Sequence, residues 1–177
     1  ACVFRPLFPL GMELPPGPHG PERAMQHLLL LGCTPDDRLY RDDPKAMKAY
    51  RPLTDAMIGK RWVLDFDPLD VPAGLEGQIF RIDRAAPHGG SVVVALADLN
   101  RSYKDRQLTK HLTVTVRLPE VAKYKAAAWL GVEKSGEEPV ACKIRRKARS
   151  LTIELPPVGA AGILRLTRRR GGARKGI

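Results

Sequence analysis

Cysteine, histidine, asparagine and aromatic residues are all scarce in this chain of 177 residues. The three cysteines, Cys2, Cys33 and Cys142, lie far apart, and an odd count builds neither a disulfide framework nor a Cys-rich zinc site. They read as small buried hydrophobes. His19, His27, His88 and His111 are equally scattered and show no H-E-x-x-H or C-x-x-C spacing, so no metal site is expected. No G-x-x-x-x-G-K-[ST] loop occurs, and no G-x-G-x-x-G follows a strand, so no cofactor is expected either. G-x-S-x-G is absent, which removes one pattern of nucleophilic catalysis. No apolar run approaches the roughly 18–20 residues that span a bilayer, and no membrane partner is expected. The chain opens without the charged region, apolar stretch and small-residue cleavage site of a signal peptide. One asparagine against much Ala, Arg, Gly, Pro and Leu fits a GC-rich, bacterial gene.

The charge is plentiful but uneven. The chain carries a net +11. From Val140 to Ile177 there are eleven Lys or Arg and one acid, Glu154, so residues 1–139 are nearly neutral and the last fifth holds almost all the excess. After Trp129 there is no aromatic residue, so the basic part offers no platform on which bases could stack.

The chain changes style near residue 60. Residues 1–20 are rich in Pro and large apolar groups, and Pro6, Pro9, Pro15, Pro16 and Pro18 exclude a helix there. "PERAMQHLLLL" predicts a helix over 21–31, with Pro21 and Glu22 at its start and Gly32 at its end. Its face is Met25, Leu28 and Leu29, with Leu31 beside them. Asp43 caps a second helix at Pro44. There Ala46, Tyr50, Leu53 and Met57 share a face, and Pro52 predicts a kink or a break into 44–51 and 52–58. From Arg61 the apolar period drops to two. Eight strands are expected, near 61–66, 78–83, 91–97, 111–118, 123–132, 140–146, 150–156 and 162–168. Their short Gly-, Pro- or charge-rich connections predict an antiparallel β-sandwich of about eight strands, preceded by a segment of two or three helices. The alternation assigns Leu64, Val94, Leu112, Val114, Val116, Leu151, Ile153 and Leu155 to its core, puts Trp62 and Phe66 with Leu64, and turns Asp65 and Asp67 outward. "SVVVALAD" is apolar on both faces and reads as a central strand.

Few residues suggest chemistry. Asp65, Asp67 and Asp70 lie close together but lack the Gly and distal Glu of a calcium loop. Glu13, in "LGMELPPG", is the one acid in an apolar loop context and is a candidate for the rim of a cleft, with solvent exposure as the plainer role. Arg168, Arg169, Arg170, Arg174 and Lys175, in and beside "RRRGGARKGI", could touch nucleic-acid phosphates, although such a run is more commonly a solvated chain end. The Arg and Lys of the strands are spread by alternation and are expected to add little to it.

Taken in order, "FPLGMELPPG", a helix, "KAYRPLTDAMIGKRWVLDFDPLDVPAGLEGQIFRI", "GGSVVVALADL", "LTVTVRLP" and "IELPPVGAAGILRL" resemble the C-terminal end of certain bacterial glycoside hydrolases. In those proteins the last helix of a (β/α)₈ barrel runs into an antiparallel β-sandwich. The resemblance covers residues 6–168 and is one of element order, without a catalytic signature. It implies that residues 1–60 are terminal βα elements of an incomplete barrel and 61–168 the sandwich; residues 169–177, read as a basic disordered tail, lie outside the pattern. The start at Ala1, inside an apolar phrase, is then read as a cut or processed end. The catalytic carboxylates of such barrels sit at the C-terminal ends of several strands, so they are expected outside this chain. The resulting expectation is a non-catalytic accessory portion that braces the barrel and borders a sugar cleft. Its partners would be the remaining barrel and carbohydrate. The alternative is a small basic β-sandwich that binds nucleic acid, weakly and without sequence preference, or another acidic partner through residues 140–177. A free-standing carbohydrate-binding module is a third reading.

Overall fold

The computed structural model describes residues 20–33, 41–87, 89–105, 107–134 and 138–168. Two helices, α1 (Gly20–Leu31) and α2 (Pro44–Asp55), precede nine strands. These are β1 (Lys60–Trp62), β2 (Leu69–Asp70), β3 (Glu76–Ile82), β4 (Val92–Ala97), β5 (Thr113–Val116), β6 (Tyr124–Gly131), β7 (Val140–Lys147), β8 (Ser150–Glu154) and β9 (Ala161–Arg168). The class is mainly β, as the alternation predicts. No helix among the described residues is long and apolar enough to cross a membrane.

The helix ends follow local chemistry. Gly32 adopts φ +64°, and the Gly32 and Cys33 amides donate to the carbonyls of Leu29 and Leu28 at 3.1 and 2.7 Å. This is the paired closure that a left-handed residue permits. At α2 the Asp43 side chain accepts from the Ala46 amide at 2.9 Å, ahead of Pro44 at the first helical position. Pro52 does not split α2; the helix passes through it and stops three residues later.

All strand pairings are antiparallel, in the order β1-β3-β4-β9-β6-β7-β8-β5-β2. The sheet curls at β7. Val140–Cys142 pair with β6, whereas Lys143–Lys147 pair with β8. A strand that changes partners along its length is how a sheet turns a corner. The two halves then face each other across one apolar layer. Val92, Val94, Leu96, Leu164, Leu166 and Trp129 contribute from one side, and Val114, Val116, Leu151 and Ile153 from the other. A side chain of this kind contributes about 1.5–3 kcal/mol when fully removed from water.

A second apolar layer lies on the opposite face of the first half. Phe80, Ile82, Val93, Ala95 and Ile163 meet Met25, Leu28 and Leu29 of α1 and Met47, Tyr50 and Leu53 of α2. Strand β4 is therefore buried on both faces along its whole length. The helical segment shares a core with the sheet and covers its outer face.

Four expectations are corrected by this architecture. Leu64 is 90% exposed and Phe66 fully exposed, whereas Val63 is buried in the inner layer. The alternation is inverted there because Trp62 pairs with Phe80, whose side chain faces the helices. Leu112 is only half-buried at the margin of the inner layer. His111 has φ +59°, so β5 begins later than the apolar pattern suggests. Leu31, beyond the covered part of α1, is half-exposed.

Candidate functional site

Three constellations stand out, and each is set by the fold. The first is at the start of α1. Glu22 is buried, and its carboxylate accepts from Tyr50 Oη at 3.1 Å, Ser102 Oγ at 2.6 Å and the Tyr103 amide at 2.5 Å. Beside it, Gln26 Nε2 donates to the carbonyls of Asp98 and Arg101 at 3.3 and 2.9 Å. Three donors meet this carboxyl group in the first turn of α1, where the helix dipole favours negative charge. Burial, followed by the nearby Glu22 charge, drives the Tyr50 hydroxyl pKa well above its ordinary value. With its oxygens occupied and no solvent access, Glu22 fastens α1, α2 and the β4–β5 connection; it has no free face for a substrate. The sequence gives Glu22 only a helix-start role, because the donors from residues 102 and 103 are 80 positions away.

The second constellation is the segment between β1 and β2. Arg81 donates to Asp65 Oδ2 at 2.9 Å and to Glu120 Oε1 at 2.8 Å. Arg117 reaches Asp67 Oδ2 at 3.1 Å and Asp70 Oδ2 at 3.2 Å, and its amide donates to the Pro68 carbonyl. The hydrogen bond to Glu120 is the main cause that raises the Arg81 pKa, and the same bond lowers that of Glu120. The three aspartates are thus spent on arginines. Asp65, expected to face outward, is half-buried against Arg81. Asp67 has φ +45°, and Phe66 stands out into solvent between the two clamped acids. Trp62, half-exposed, meets Phe80 edge-on with centroids 5.2 Å apart. Trp62, at the end of the edge strand β1, and Leu64 and Phe66 just after it are all exposed apolar residues.

The third constellation is basic. Tyr124 opens β6 opposite Arg168, the last residue of β9. The Arg168 guanidinium lies 5.6 Å from the Tyr124 ring centroid, and the ring itself is buried. Arg146 Nη2 donates to the carbonyls of Lys125 and Tyr124 at 3.3 and 3.5 Å. Lys123 and Lys125 flank Tyr124, and Lys147 and Arg149 surround the β7–β8 turn; all are exposed. Alternation does spread cations along the strands, but β6, β7 and β9 bring theirs together at one end of the sheet, which one-dimensional reading does not reveal.

Of the residues singled out in the sequence, Arg168 is thus placed in this basic end. Glu13, Arg169, Arg170, Arg174 and Lys175 lie outside the described residues, as does Cys2. Cys33 and Cys142 carry free thiols, both partly buried. Among the described residues no three potential metal ligands come together.

No protein-family model matches the chain, and no curated protein matches it in sequence. Solved structures do resemble it in fold. A cycloisomaltooligosaccharide glucanotransferase from Paenibacillus sp., solved in complex with cycloisomaltoheptaose, superposes with a TM-score of 0.58 at 9% identity. The match covers 84% of this chain and 27% of that one, so this chain spans about a quarter of the other's length. An alpha-L-fucosidase from Paenibacillus thiaminolyticus matches over 58% of this chain and 16% of its own, at 11% identity and a TM-score of 0.41. An arabinofuranosidase from Xanthomonas axonopodis pv. citri matches over 61% and 21%, at 18% identity and a TM-score of 0.32. The glucanotransferase likeness is one of fold: a helix-backed, curled antiparallel sheet.

Proposed function

We propose that this chain is a non-catalytic accessory portion of a glycoside-hydrolase-like protein, bracing a catalytic barrel and bordering its sugar cleft. The observation that carries the reading is the glucanotransferase match, which takes in most of this chain but about a quarter of the other. The internal chemistry is consistent with it. The buried Glu22 carboxylate is engaged by three donors, and the aspartates of the 65–70 segment are held by arginines. Trp62 lies against Phe80 on the helix-covered side, Leu64 and Phe66 are exposed just after it, and this reading assigns all three to contact with the rest of the barrel.

The test is direct. Reading the gene upstream of Ala1 should reveal several βα units in the same frame. The isolated chain should release no sugar from dextran or from isomalto-oligosaccharides. A stop codon shortly before the coding start of this chain, or turnover by the chain alone, would overturn the reading.

A further inference from the structure

We infer that the basic end of the sheet, organised around Tyr124, is a binding surface for an anionic polysaccharide, one bearing repeated carboxylate or sulfate groups. The choice of ligand rests on the carbohydrate reading above; the presence of an anion-binding surface does not.

Six exposed cations lie on the strand ends and the turn at this end: Lys123, Lys125, Arg146, Lys147, Arg149 and Arg168. Two of them are held in place. Arg168 lies on the Tyr124 ring, and Arg146 is fixed by the carbonyls of Tyr124 and Lys125. A guanidinium that is already positioned loses less freedom when it grips a carboxylate or sulfate, and its fork matches those groups with two parallel hydrogen bonds. The nearby acid is spent: Glu120 is paired with Arg81. Glu154 sits at the other end of β8 and pairs with Arg145. Among the described residues this end therefore carries more cations than acids, although residues 1–139 as a whole are nearly neutral.

The same geometry argues against nucleic acid as the intended ligand. The aromatic ring in the cluster, Tyr124, is buried under Arg168, so no base can stack on it. The β7–β8 pair is flanked by β6 and β5, so it is not a free two-stranded ribbon that could enter a major groove. A chain of repeated anions needs neither feature.

The experiment is titration calorimetry of the full 177-residue chain at about 50 and 200 mM salt, the range over which multi-contact ionic binding weakens strongly. The probes are polygalacturonate, heparin, uncharged dextran and a DNA duplex. Two variants accompany the native chain. One carries Lys125→Ala, Lys147→Ala and Arg149→Ala, all exposed positions; the other carries Arg169→Ala, Arg170→Ala, Arg174→Ala and Lys175→Ala. Expected are binding of at least one anionic glycan more tightly than dextran or DNA, a loss of about tenfold or more in the first variant at unchanged Tm, and a smaller loss in the second. Absence of glycan binding, or binding lost with the terminal cations and indifferent to the triple change, overturns the surface. DNA bound more tightly than either glycan, with the same loss in the triple variant, overturns the ligand class. Neither result bears on the upstream reading frame, so the failure of this proposal and that of the accessory-domain reading remain separable.

Discussion

Ser102 Oγ donates to Glu22 Oε2 at 2.6 Å across 80 residues of sequence, and both side chains are buried. This bond, with those from Tyr50 and the Tyr103 amide, ties the helical layer to the sheet. Glu22→Ala would leave two buried hydroxyls and the part-buried Tyr103 amide without their acceptor. A loss of about 3 kcal/mol is expected in urea unfolding. Ser102→Ala removes one donor and should cost about 1 kcal/mol. If Glu22→Ala is as stable as the native chain, the carboxylate is not the fastener described.

The inverted alternation near residue 63 gives a second, sharper comparison. Val63 is 5% exposed and packs in the inner layer, whereas Leu64 is 90% exposed. Val63→Asp buries a charge without a built partner and should cost several kcal/mol, enough to unfold much of the population. Leu64→Asp should shift stability by less than about 0.5 kcal/mol. The sequence pattern predicts the opposite order, so thermal melts of the two variants separate the two faces.

This local failure shows where the sequence is legible. Strand β4 reads correctly because Val92–Ala97 are apolar without interruption, and burial on both faces demands that. The α2 face Ala46, Tyr50, Leu53 and Met57 is likewise buried as its spacing predicts. Around 60–66 both alternating sets contain apolar residues, so periodicity cannot choose between them. The choice is made by the pairing of Trp62 with Phe80, a long-range event. The basic end is illegible for the same reason: Lys125, Arg146 and Arg168 are far apart in sequence and meet because β6 pairs with both β7 and β9. The Glu22 node joins residues from α1, α2 and a loop, and no local motif encodes it.

Close packing between β6 and β9 yields a third prediction. A Cβ built on Gly162 would lie 2.2 Å from Trp129 Cζ2 and 2.7 Å from the Leu130 carbonyl oxygen. The Trp129 ring is fully buried and cannot swing aside. Gly162→Ala should therefore cost about 3 kcal/mol, a fall in Tm of roughly 6–12 °C. It should also alter the near-ultraviolet circular dichroism of Trp129. An unchanged melt would mean that β6 and β9 do not approach so closely.

Alkaline pH should destabilise the fold through two separate groups. Burial is the main cause that pushes the Cys142 thiol from 9.0 up to about 11, and a backbone hydrogen bond involving Trp129 pulls it partly back. Burial and the Glu22 charge raise Tyr50 well above 10.0. In each case the folded chain holds the proton more tightly than the unfolded chain. The resulting stability is complete below the unfolded value and is lost as pH rises toward the folded one. The Cys142 contribution should thus fade between about pH 9 and 11, and that of Tyr50 from about pH 10 upward. Urea midpoints measured from pH 8 to 11 should fall for the native chain. Cys142→Ala should flatten the lower part of that fall and Tyr50→Phe the upper part. At pH 8 the Cys142 thiol should also alkylate slowly, because little of it is thiolate. A native midpoint that stays level to pH 11, or Cys142→Ala tracking the native curve between pH 9 and 11, would sink the assignment.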